Sequence, residues 1–368
     1  MNKELKDRVL SKINRDEVIK LVMDLVDIPS PPGAEAGAGE FILGWLCGHG
    51  LESVRQEVEP GRLNAVGILK GSGRGTSLMF NGHLDTSHPG TEEEIEAAGA
   101  SAASLHARAF LEGDALYGLG SYNCKGPVAT ALIALKALKE SGVTLDGDVV
   151  VAAVCGEIGV APVGRYQGPA YHGNGYGTRY LVTHGVITDL AVVVEPSYHQ
   201  LVWSLPGVLL LKVTTYGESA YIPFINRARW EKEGTNGVRN TIRMLQVIED
   251  WAVEYEAKNK LDSPGGPVTG RANIGAIEAG RPYKPNYSIA SCTAYLDIKV
   301  PPSRGMLDVQ RELEGVLAKA GLEARVEAYL SHRGYEGKGN EALVEGGGAS
   351  LLPGGLSGRP AQIPDRAG

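Results

Sequence analysis

One histidine and three carboxylates within the first 200 residues of the chain have the residue types of a metal site. His83 and Asp85 stand two residues apart at the end of one short apolar run. Glu157 follows a second such run, and Glu195 follows a third. Imidazole and carboxylate oxygens together suit zinc or manganese, and such a set leaves a position open for water. Taken alone, a His-x-Asp pair fits a hydrogen-bonded loop histidine better, so the metal prediction requires that the ends of these runs meet.

The three apolar runs predict strands of one sheet. They cover residues 78–80, 149–154 and 190–194, and short aliphatic runs of this kind are typical of strands buried on both faces. A helical segment at 127–141 separates the first two, with Pro127 suited to its first turn. This order implies parallel crossovers in a mixed, mostly parallel α/β sheet flanked by helices. Ligands gather at the carboxyl ends of such strands, so the four side chains should converge at one rim.

A glycine-rich turn at 71–75 joins two strand candidates, 62–70 and 76–82. The turn precedes no helix and lacks a Gly-Lys-Ser/Thr triplet, so it predicts a hairpin rather than a phosphate-binding loop. The two strands are therefore expected to lie side by side.

The second half of the chain predicts a separate α+β domain. Its segments follow the order strand, helix, strand, strand, helix, strand, which is the ferredoxin-like arrangement. This domain is expected over residues 206–331, inserted into a metal-binding catalytic domain formed by 1–205 and 332–368. Glycine and proline are dense from Glu336 onward, which predicts a disordered or loosely packed tail. The predicted segments are strands at 208–216, 271–278, 288–300 and 323–331 and helices at 238–257 and 306–320.

Composition excludes several classes of partner. The 368 residues carry a net charge of −7 with a pI near 5.7, which argues against binding to nucleic acid or to an anionic membrane surface. No apolar run reaches the roughly 18 residues of a membrane span, and the charged N-terminus lacks a signal-peptide core. The four cysteines form no CxxC pair or disulfide framework. We therefore expect a two-domain cytoplasmic protein with a small-molecule substrate.

Motifs spread over about residues 15–335 occur in an order that is typical of one enzyme family. These motifs are Ile28-Pro29-Ser30, Gly82-His83-Leu84-Asp85-Thr86, Asn123-Cys124-Lys125-Gly126, Gly156-Glu157-Ile158-Gly159, Glu195-Pro196, Gly217-Glu218-Ser219-Ala220, Asn286 and Leu296-Asp297-Ile298. With them the chain resembles the zinc-dependent family of acetylornithine deacetylase, succinyl-diaminopimelate desuccinylase, aminoacylase and carboxypeptidase G. Around 161–163 and 177–185 it is similar to a divergent branch represented by 5-nitroanthranilate aminohydrolase, a one-metal hydrolase.

The resemblance implies a catalytic domain with a two-metal site and a lid domain through which the protein forms a homodimer. By position, His83 and Glu195 are ligands of the first metal, and Asp85 is the residue that orients His83. Glu157 matches a ligand of the second metal. Asn123 stands where the family has an aspartate that bridges the two ions.

Several departures from the family pattern weaken the second metal position. Asn123 is neutral and cannot offset two divalent charges as a carboxylate does. Gly156 takes the place of the family's general-base glutamate, and Tyr221 replaces the lid histidine that reaches a neighbouring subunit. No histidine follows His332, so the C-terminal ligand of the second metal is missing. We expect one ion rather than two, held by the first-metal ligands together with the amide oxygen of Asn123.

Glu157 and two further residues are candidates for catalysis and substrate binding. Without a second metal, Glu157 is predicted to act as general base toward a metal-bound water; the alternative is a carboxylate that only caps the strand end. Arg179 could bind a substrate carboxylate by a bidentate pair, although an exposed or structural arginine is the plainer interpretation. The resemblance implies a substrate contact at Asn286. Cys124 and Cys155 lack a spaced histidine partner and predict buried packing rather than thiol catalysis.

Together these features predict a metallohydrolase that cleaves an amide-type C–N bond in a small carboxylate-bearing substrate by attack of metal-bound water. A deacylase, an aminohydrolase and a peptidase all fit, with zinc or manganese. The alternative is a degenerate or truncated member of the family that binds ligands or dimerises without turnover, which Asn123, Gly156 and the missing C-terminal histidine favour. A nucleotide-dependent dehydrogenase is disfavoured because no Gly-x-Gly-x-x-Gly follows a first strand.

Overall fold

The computed structural model describes residues 3–87, 90, 92, 95, 105–159, 161–164, 166–196, 202, 204–263, 266–337 and 343. The chain divides into two compact units, Met1–Pro196 (unit 1) and Ser197–Gly368 (unit 2). The predicted domain limits, with residues 332–368 returning to the catalytic domain, stay a prediction. The predicted disordered tail lies almost wholly outside the described residues.

Unit 1 combines helices with a central mixed sheet. Its helices are α1 (Lys3–Leu10), α2 (Arg15–Val26), α3 (Ala36–Gly48), α4 (Lys125–Glu140) and α5 (Tyr176–Thr183). Its strands are β1 (Glu52–Glu59), β2 (Arg62–Leu69), β3 (Leu78–His83), β4 (Phe110–Glu112), β5 (Ala115–Tyr117), β6 (Val149–Val154) and β7 (Leu190–Val193). A short 3-10 turn covers Pro169–Tyr171.

The strand order of the central sheet places three strand ends at one edge. The order is β1-β2-β6-β3-β7, and β3 runs parallel to both β6 and β7. The pairs β1–β2 and β2–β6 are antiparallel. The predicted α/β fold with a mixed sheet flanked by helices is confirmed, and its parallel part is the part that carries the candidate residues. The predicted hairpin between β2 and β3 is wrong, because β6 pairs between them.

Helix α4 holds the edge of the sheet at which β3 ends. Val128, Leu132 and Leu135 are buried in the main core of unit 1, and their spacing of four and three residues places them on one helical face. The helix begins at Lys125, two residues later in the chain than Asn123. Packing of α4 therefore fixes the start of the helix beside the carboxyl end of β3.

Unit 2 contains the predicted α+β arrangement. Its helices are α6 (Arg227–Glu233), α7 (Gly237–Lys258) and α8 (Met306–Lys319), with a 3-10 turn at Ile222–Phe224. Its strands are β8 (Ser204–Leu205), β9 (Gly207–Tyr216), β10 (Lys260–Ser263), β11 (Gly266–Thr269), β12 (Arg271–Ala279), β13 (Ser291–Val300), β14 (Ala324–His332) and β15 (Tyr335–Glu336).

The main sheet of unit 2 has the order β12-β13-β9-β14, and all of its neighbouring pairs are antiparallel. Alternate residues of β9, namely Leu209, Leu211 and Val213, are buried against the core that α7 and α8 share. With α7 after β9 and α8 after β13, the order of elements matches the predicted ferredoxin-like arrangement. The small hairpin of β10 and β11 lies between α7 and β12 in the chain.

In the described part of the chain, none of the helices combines the length and the apolar character needed to cross a membrane.

Candidate metal centre

His83 lies at the carboxyl end of β3 with only 2% of its side chain exposed. Its Nδ1 atom is 2.9 Å from the backbone carbonyl oxygen of Asp85 and 3.4 Å from the Oδ1 atom of the Asp85 carboxylate. Its Nε2 atom is 2.6 Å from the side-chain oxygen of Asn123. Both ring nitrogens of His83 therefore have close oxygen partners, and the ring orientation is fixed from two sides. The peptide bond between Asn123 and Cys124 is cis.

Two glutamates from the neighbouring strand ends point toward the same ring nitrogen. The Oε2 atom of Glu195 lies 3.4 Å from Nε2 of His83, and the Oε2 atom of Glu157 lies 3.8 Å from it. Their side chains are 42% and 49% exposed, respectively. The structure thus places three of the predicted metal ligands, Asn123, Glu157 and Glu195, around Nε2 of the fourth, His83. The imidazole is buried, and the two carboxylates are open to solvent.

Asp85 connects the histidine to the loop that carries Glu157. Its carboxylate is completely buried and accepts hydrogen bonds from the backbone N–H groups of Glu157 at 3.1 Å and Ile158 at 2.6 Å. Asp85 therefore contacts both the His83 ring and the backbone of the loop that carries Glu157. Its role in orienting His83 stays a prediction.

The electrostatics of this group favour a positive charge among the acids. Burial disfavours the charged ring of His83, but hydrogen bonds from the ring to Asp85 and Glu195 outweigh it and raise the pKa of His83 to about 11. Burial also raises the pKa of Glu157; the positive charge of His83 opposes this rise, while the charge of Glu195 adds to it. The acids around the ring thus favour a positive charge at this point.

The donor set fits a divalent metal ion. His83, Cys124 and Glu195 each offer one ligand atom, and these atoms all lie within 4.8 Å of one another. The side-chain oxygen of Asn123 and the carboxylate of Glu157 face the same ring nitrogen. An ion would take the place of the proton on Nε2, because metal binding requires the neutral imidazole. His83 and Glu195, with Asn123 or Cys124, are the residues that would hold it.

Cys124 is a donor that the sequence interpretation assigned to packing. The residue is fully buried, and its thiol donates a hydrogen bond of 3.2 Å to the carbonyl oxygen of Val194. Burial raises the pKa of its thiol to about 11, although the neighbouring charge of His83 opposes this rise. The sequence signal that could have indicated Cys124 as a metal donor is its position next to Asn123 in the chain.

Gly156 has no room for a side chain. Its φ of +66° is in the left-handed region, and a Cβ atom would lie 2.7 Å from Nη2 of Arg62 and 3.0 Å from the carbonyl oxygen of His172. Its N–H group donates to Oε1 of Glu35 at 3.2 Å. The position that the resemblance gives to a general base is therefore closed by a buried arginine.

Arg62 and Glu35 form an ion pair that sequence reasoning missed. Both side chains are 0% exposed, and two hydrogen bonds of 2.6 and 3.0 Å join them. Arg62 also donates to the carbonyl oxygens of Pro169 at 2.9 Å and His172 at 2.7 Å. The pair ties β2, the segment before α3 and the turn before α5 to the backbone of Gly156. Nothing in the local sequence of either residue signals this contact.

The two predicted substrate-binding residues lie on different units. Arg179 is exposed on α5, and within the described residues its guanidinium donates one hydrogen bond, 3.4 Å long, to the carbonyl oxygen of Gly173. Asn286 is exposed on unit 2, where it lines a cleft of about 250 Å³ together with Ile222, Trp230 and Tyr287. Among the described residues of unit 1, the hydrogen bond of Arg179 is to Gly173 and not to His83. The substrate-binding roles of Arg179 and Asn286 stay predictions.

Comparison with known proteins gives one family. Residues 79–336 match the family model described as peptidase family M20/M25/M40. N-formyl-4-amino-5-aminomethyl-2-methylpyrimidine deformylase of Halalkalibacterium halodurans is 26% identical over 315 residues, which are 82% of this chain and 67% of that protein. The protein of the same name from Bacillus subtilis is 31% identical over 149 residues, 39% of this chain and 33% of that protein. The matches thus span between a third and two thirds of the length of these curated relatives.

Among solved structures, a tripeptidase from Staphylococcus aureus has a similar fold. The two chains superpose with a TM-score of 0.66 at 17% identity, over 95% of this chain and 84% of the other. At that level of identity the likeness concerns the fold.

Proposed function

The chain belongs to peptidase family M20/M25/M40, and on that premise we propose that it is a metal-dependent hydrolase of an amide-type C–N bond in a small carboxylate-bearing molecule. The observation that carries the proposal is the convergence at His83. Oxygens of Asn123, Glu195 and Glu157, from segments far apart in the chain, lie 2.6, 3.4 and 3.8 Å from its Nε2 atom. A histidine with only a structural role does not require two solvent-facing carboxylates near its Nε2 atom.

The bound ion would be zinc or manganese, and one ion rather than two. When bound, it would supply Lewis acidity and a water molecule of lowered pKa. His83 and Glu195 would hold it, and the neutral amide of Asn123 would not offset the charge of a second ion. The hydrogen-bonded contact between the His83 ring and Asp85 keeps Nε2 directed at the carboxylates.

Glu157 is proposed as the general base. Its carboxylate is half exposed and reaches within 3.8 Å of the His83 ring, so it can contact both solvent water and a substrate at the same edge. It would take a proton from the attacking water and return it to the leaving nitrogen. The preceding position offers no competing carboxylate, because Gly156 cannot carry a side chain beside Arg62.

The substrate is proposed to be a small N-acyl compound. The two curated relatives are both named deformylases, and another, from Gluconobacter oxydans, is named succinyl-diaminopimelate desuccinylase. Each of these names describes removal of a small acyl group. Arg179 has a single long hydrogen bond in the described structure, which leaves most of its donors for a substrate carboxylate. Asn286 is proposed as a second substrate contact.

A homodimer formed through unit 2 is proposed as the assembly. Strand β12 is an edge strand of the main sheet of unit 2, and most of its residues are exposed. An open edge of this kind is a template for pairing with another chain. Size-exclusion chromatography with light scattering tests the proposal, and a monomer at micromolar concentration would overturn it. A cytoplasmic location stays a prediction.

The test of the activity combines metal analysis with a substrate panel. Purified protein would be assayed for bound metal and for hydrolysis of N-formyl and N-succinyl amines and amino acids. Glu157→Gln should lower kcat by about 10²–10⁴-fold while leaving the metal content unchanged. Glu52→Gln, on the exposed face of β1, is the matched control and should hydrolyse like the parent. Unchanged turnover in Glu157→Gln would reject the base assignment.

A non-catalytic role is the second candidate. The neutral Asn123 and the closed position at Gly156 favour it, because both depart from the family's catalytic pattern. Protein that binds no metal and hydrolyses no member of the panel would support this candidate and overturn the hydrolase proposal.

A further inference from the structure

Cys124 lies beside the two strand ends that carry the proposed first ligands. His83 ends β3, and Glu195 follows β7, the strand that pairs with β3. The thiol of Cys124 donates to the carbonyl oxygen of Val194, the residue before Glu195. A buried sulfur is therefore anchored where these two strands deliver an imidazole and a carboxylate.

The three donor atoms have nearly the separations that a shared ion requires. Sγ of Cys124 and the ligand atoms of His83 and Glu195 lie within 4.8 Å of one another, and the nitrogen-to-oxygen distance is 3.4 Å. In a tetrahedral zinc site with bonds of about 2.0–2.3 Å, donor atoms are about 3.5 Å apart. Binding of an ion would draw the three atoms together from separations of at most 4.8 Å.

Ligand chemistry favours the thiol over the neighbouring amide. Protein zinc sites are built from thiolate, imidazole and carboxylate ligands, whereas the side chain of Asn123 offers a neutral carbonyl oxygen. Sulfur is also the donor type that the geometry already places with the imidazole of His83 and the carboxylate of Glu195. The preference for the thiol therefore rests on the type of its donor atom and on its position.

We propose that Cys124 is a direct ligand of the metal ion, so that the centre is a one-metal site with nitrogen, oxygen and sulfur ligands. The inference rests on the proposed metal-dependent function. On binding, the thiol gives up its proton to solvent and its hydrogen bond to Val194, and the sulfur lone pair forms the bond to the ion. Because thiolate is a soft ligand, the site selects zinc over manganese.

Cobalt substitution tests the inference without an activity assay. Metal-free protein loaded with Co²⁺ should show the visible bands of bound cobalt and a near-ultraviolet thiolate-to-cobalt charge-transfer band. Cys124→Ser should lose the charge-transfer band, since serine can still donate to Val194 but supplies no sulfur. Cys155→Ser, which removes another buried cysteine, should keep the band. Asn123→Ala should also keep it, because the rival amide ligand is then the one removed.

The outcomes separate this inference from the function on which it rests. Visible cobalt bands without a charge-transfer band, or the same band in Cys124→Ser, would overturn the role of Cys124 and leave the hydrolase proposal standing. Failure of the parent protein to bind Co²⁺ or Zn²⁺ at all would overturn both.

Affinity measurements give a second and independent readout. Loss of a residue outside the ligand set typically weakens metal binding about 10–100-fold, so loss of a direct ligand should exceed about 100-fold for zinc. The affinity for manganese should change much less, because manganese prefers oxygen. Equal losses for the two metals, with folding verified by circular dichroism, would contradict a sulfur ligand.

Discussion

Replacing Arg62 with methionine tests whether the buried ion pair beside Gly156 stabilises the loop of the candidate site. Arg62 and Glu35 are both 0% exposed and share two hydrogen bonds of 2.6 and 3.0 Å. Removing one partner of a buried pair costs about 3–5 kcal/mol, because the other charge stays buried without compensation. The substitution also removes the donors of the bonds to Pro169 and His172. We therefore expect the free energy of unfolding to fall by at least about 4 kcal/mol.

The assay is urea unfolding followed by circular dichroism, with two matched comparisons. Arg55→Met removes an arginine from β1 whose side chain is 47% exposed and paired with Glu40 and Glu57, so it should cost no more than about 1 kcal/mol. The double variant Glu35→Met with Arg62→Met removes both charges and should lose at least about 2 kcal/mol less than the sum of the two single variants. If Arg62→Met costs as little as Arg55→Met, the buried pair does not hold the structure together and the explanation of the closed Gly156 position fails.

Three further variants or ligands test other parts of the structure. Gly156→Ala should destabilise the protein more than Gly73→Ala in urea unfolding. Both residues have a positive φ, at which a side chain costs about 1–2 kcal/mol, but of the two only Gly156 would bring a Cβ atom within 2.7 Å of a buried guanidinium. Equal losses of stability would contradict the clash. Glu312→Gln should flatten the loss of stability in acid. Burial raises the pKa of Glu312, but hydrogen bonds from Arg304 and Trp251 outweigh this effect and lower the pKa below 4.5. The contribution of Glu312 to stability is therefore present above about pH 4.5 and is lost as the pH falls. An unchanged acid-unfolding curve would refute this. Zinc at 100 times its Kd should raise the free energy of unfolding by about 2.7 kcal/mol, and His83→Ala should abolish the increase; a persisting increase would place the ion elsewhere.

The parallel part of the sheet could be predicted from the sequence because its signals are local. Each of β3, β6 and β7 is a short apolar run, and each run ends at a polar residue. The carboxyl ends of parallel strands meet at one edge, so the convergence of His83, Glu157 and Glu195 followed from the element order. The pairing of β6 between β2 and β3 could not be predicted, because β6 lies about 80 residues from β2 in the chain and the glycine-rich turn at 71–75 also suits a hairpin.

The surroundings of the candidate site were less accessible to sequence reasoning. The sequence shows that Asn123 and Gly156 depart from the family pattern. It does not show that a side chain at position 156 would contact Arg62, which lies on strand β2. Glu35 and Arg62 are charged residues in a chain with many exposed charges, and only folding shows that these two are completely buried. Cys124 looked like a core residue, and it is buried; its distance from the donor atoms depends on tertiary packing that no periodic pattern reports.

The uneven exposure of the donor group would set the route by which an ion enters and leaves the proposed centre. His83 is sealed within the protein, whereas Glu157 and Glu195 stand half open to solvent. An ion that arrives from solution would meet the acids first and the imidazole last, so it would enter through rotation of two acidic side chains while the sheet stays intact. Occupancy of the centre would then follow the concentration of free metal around the mature protein, rather than being fixed once during synthesis.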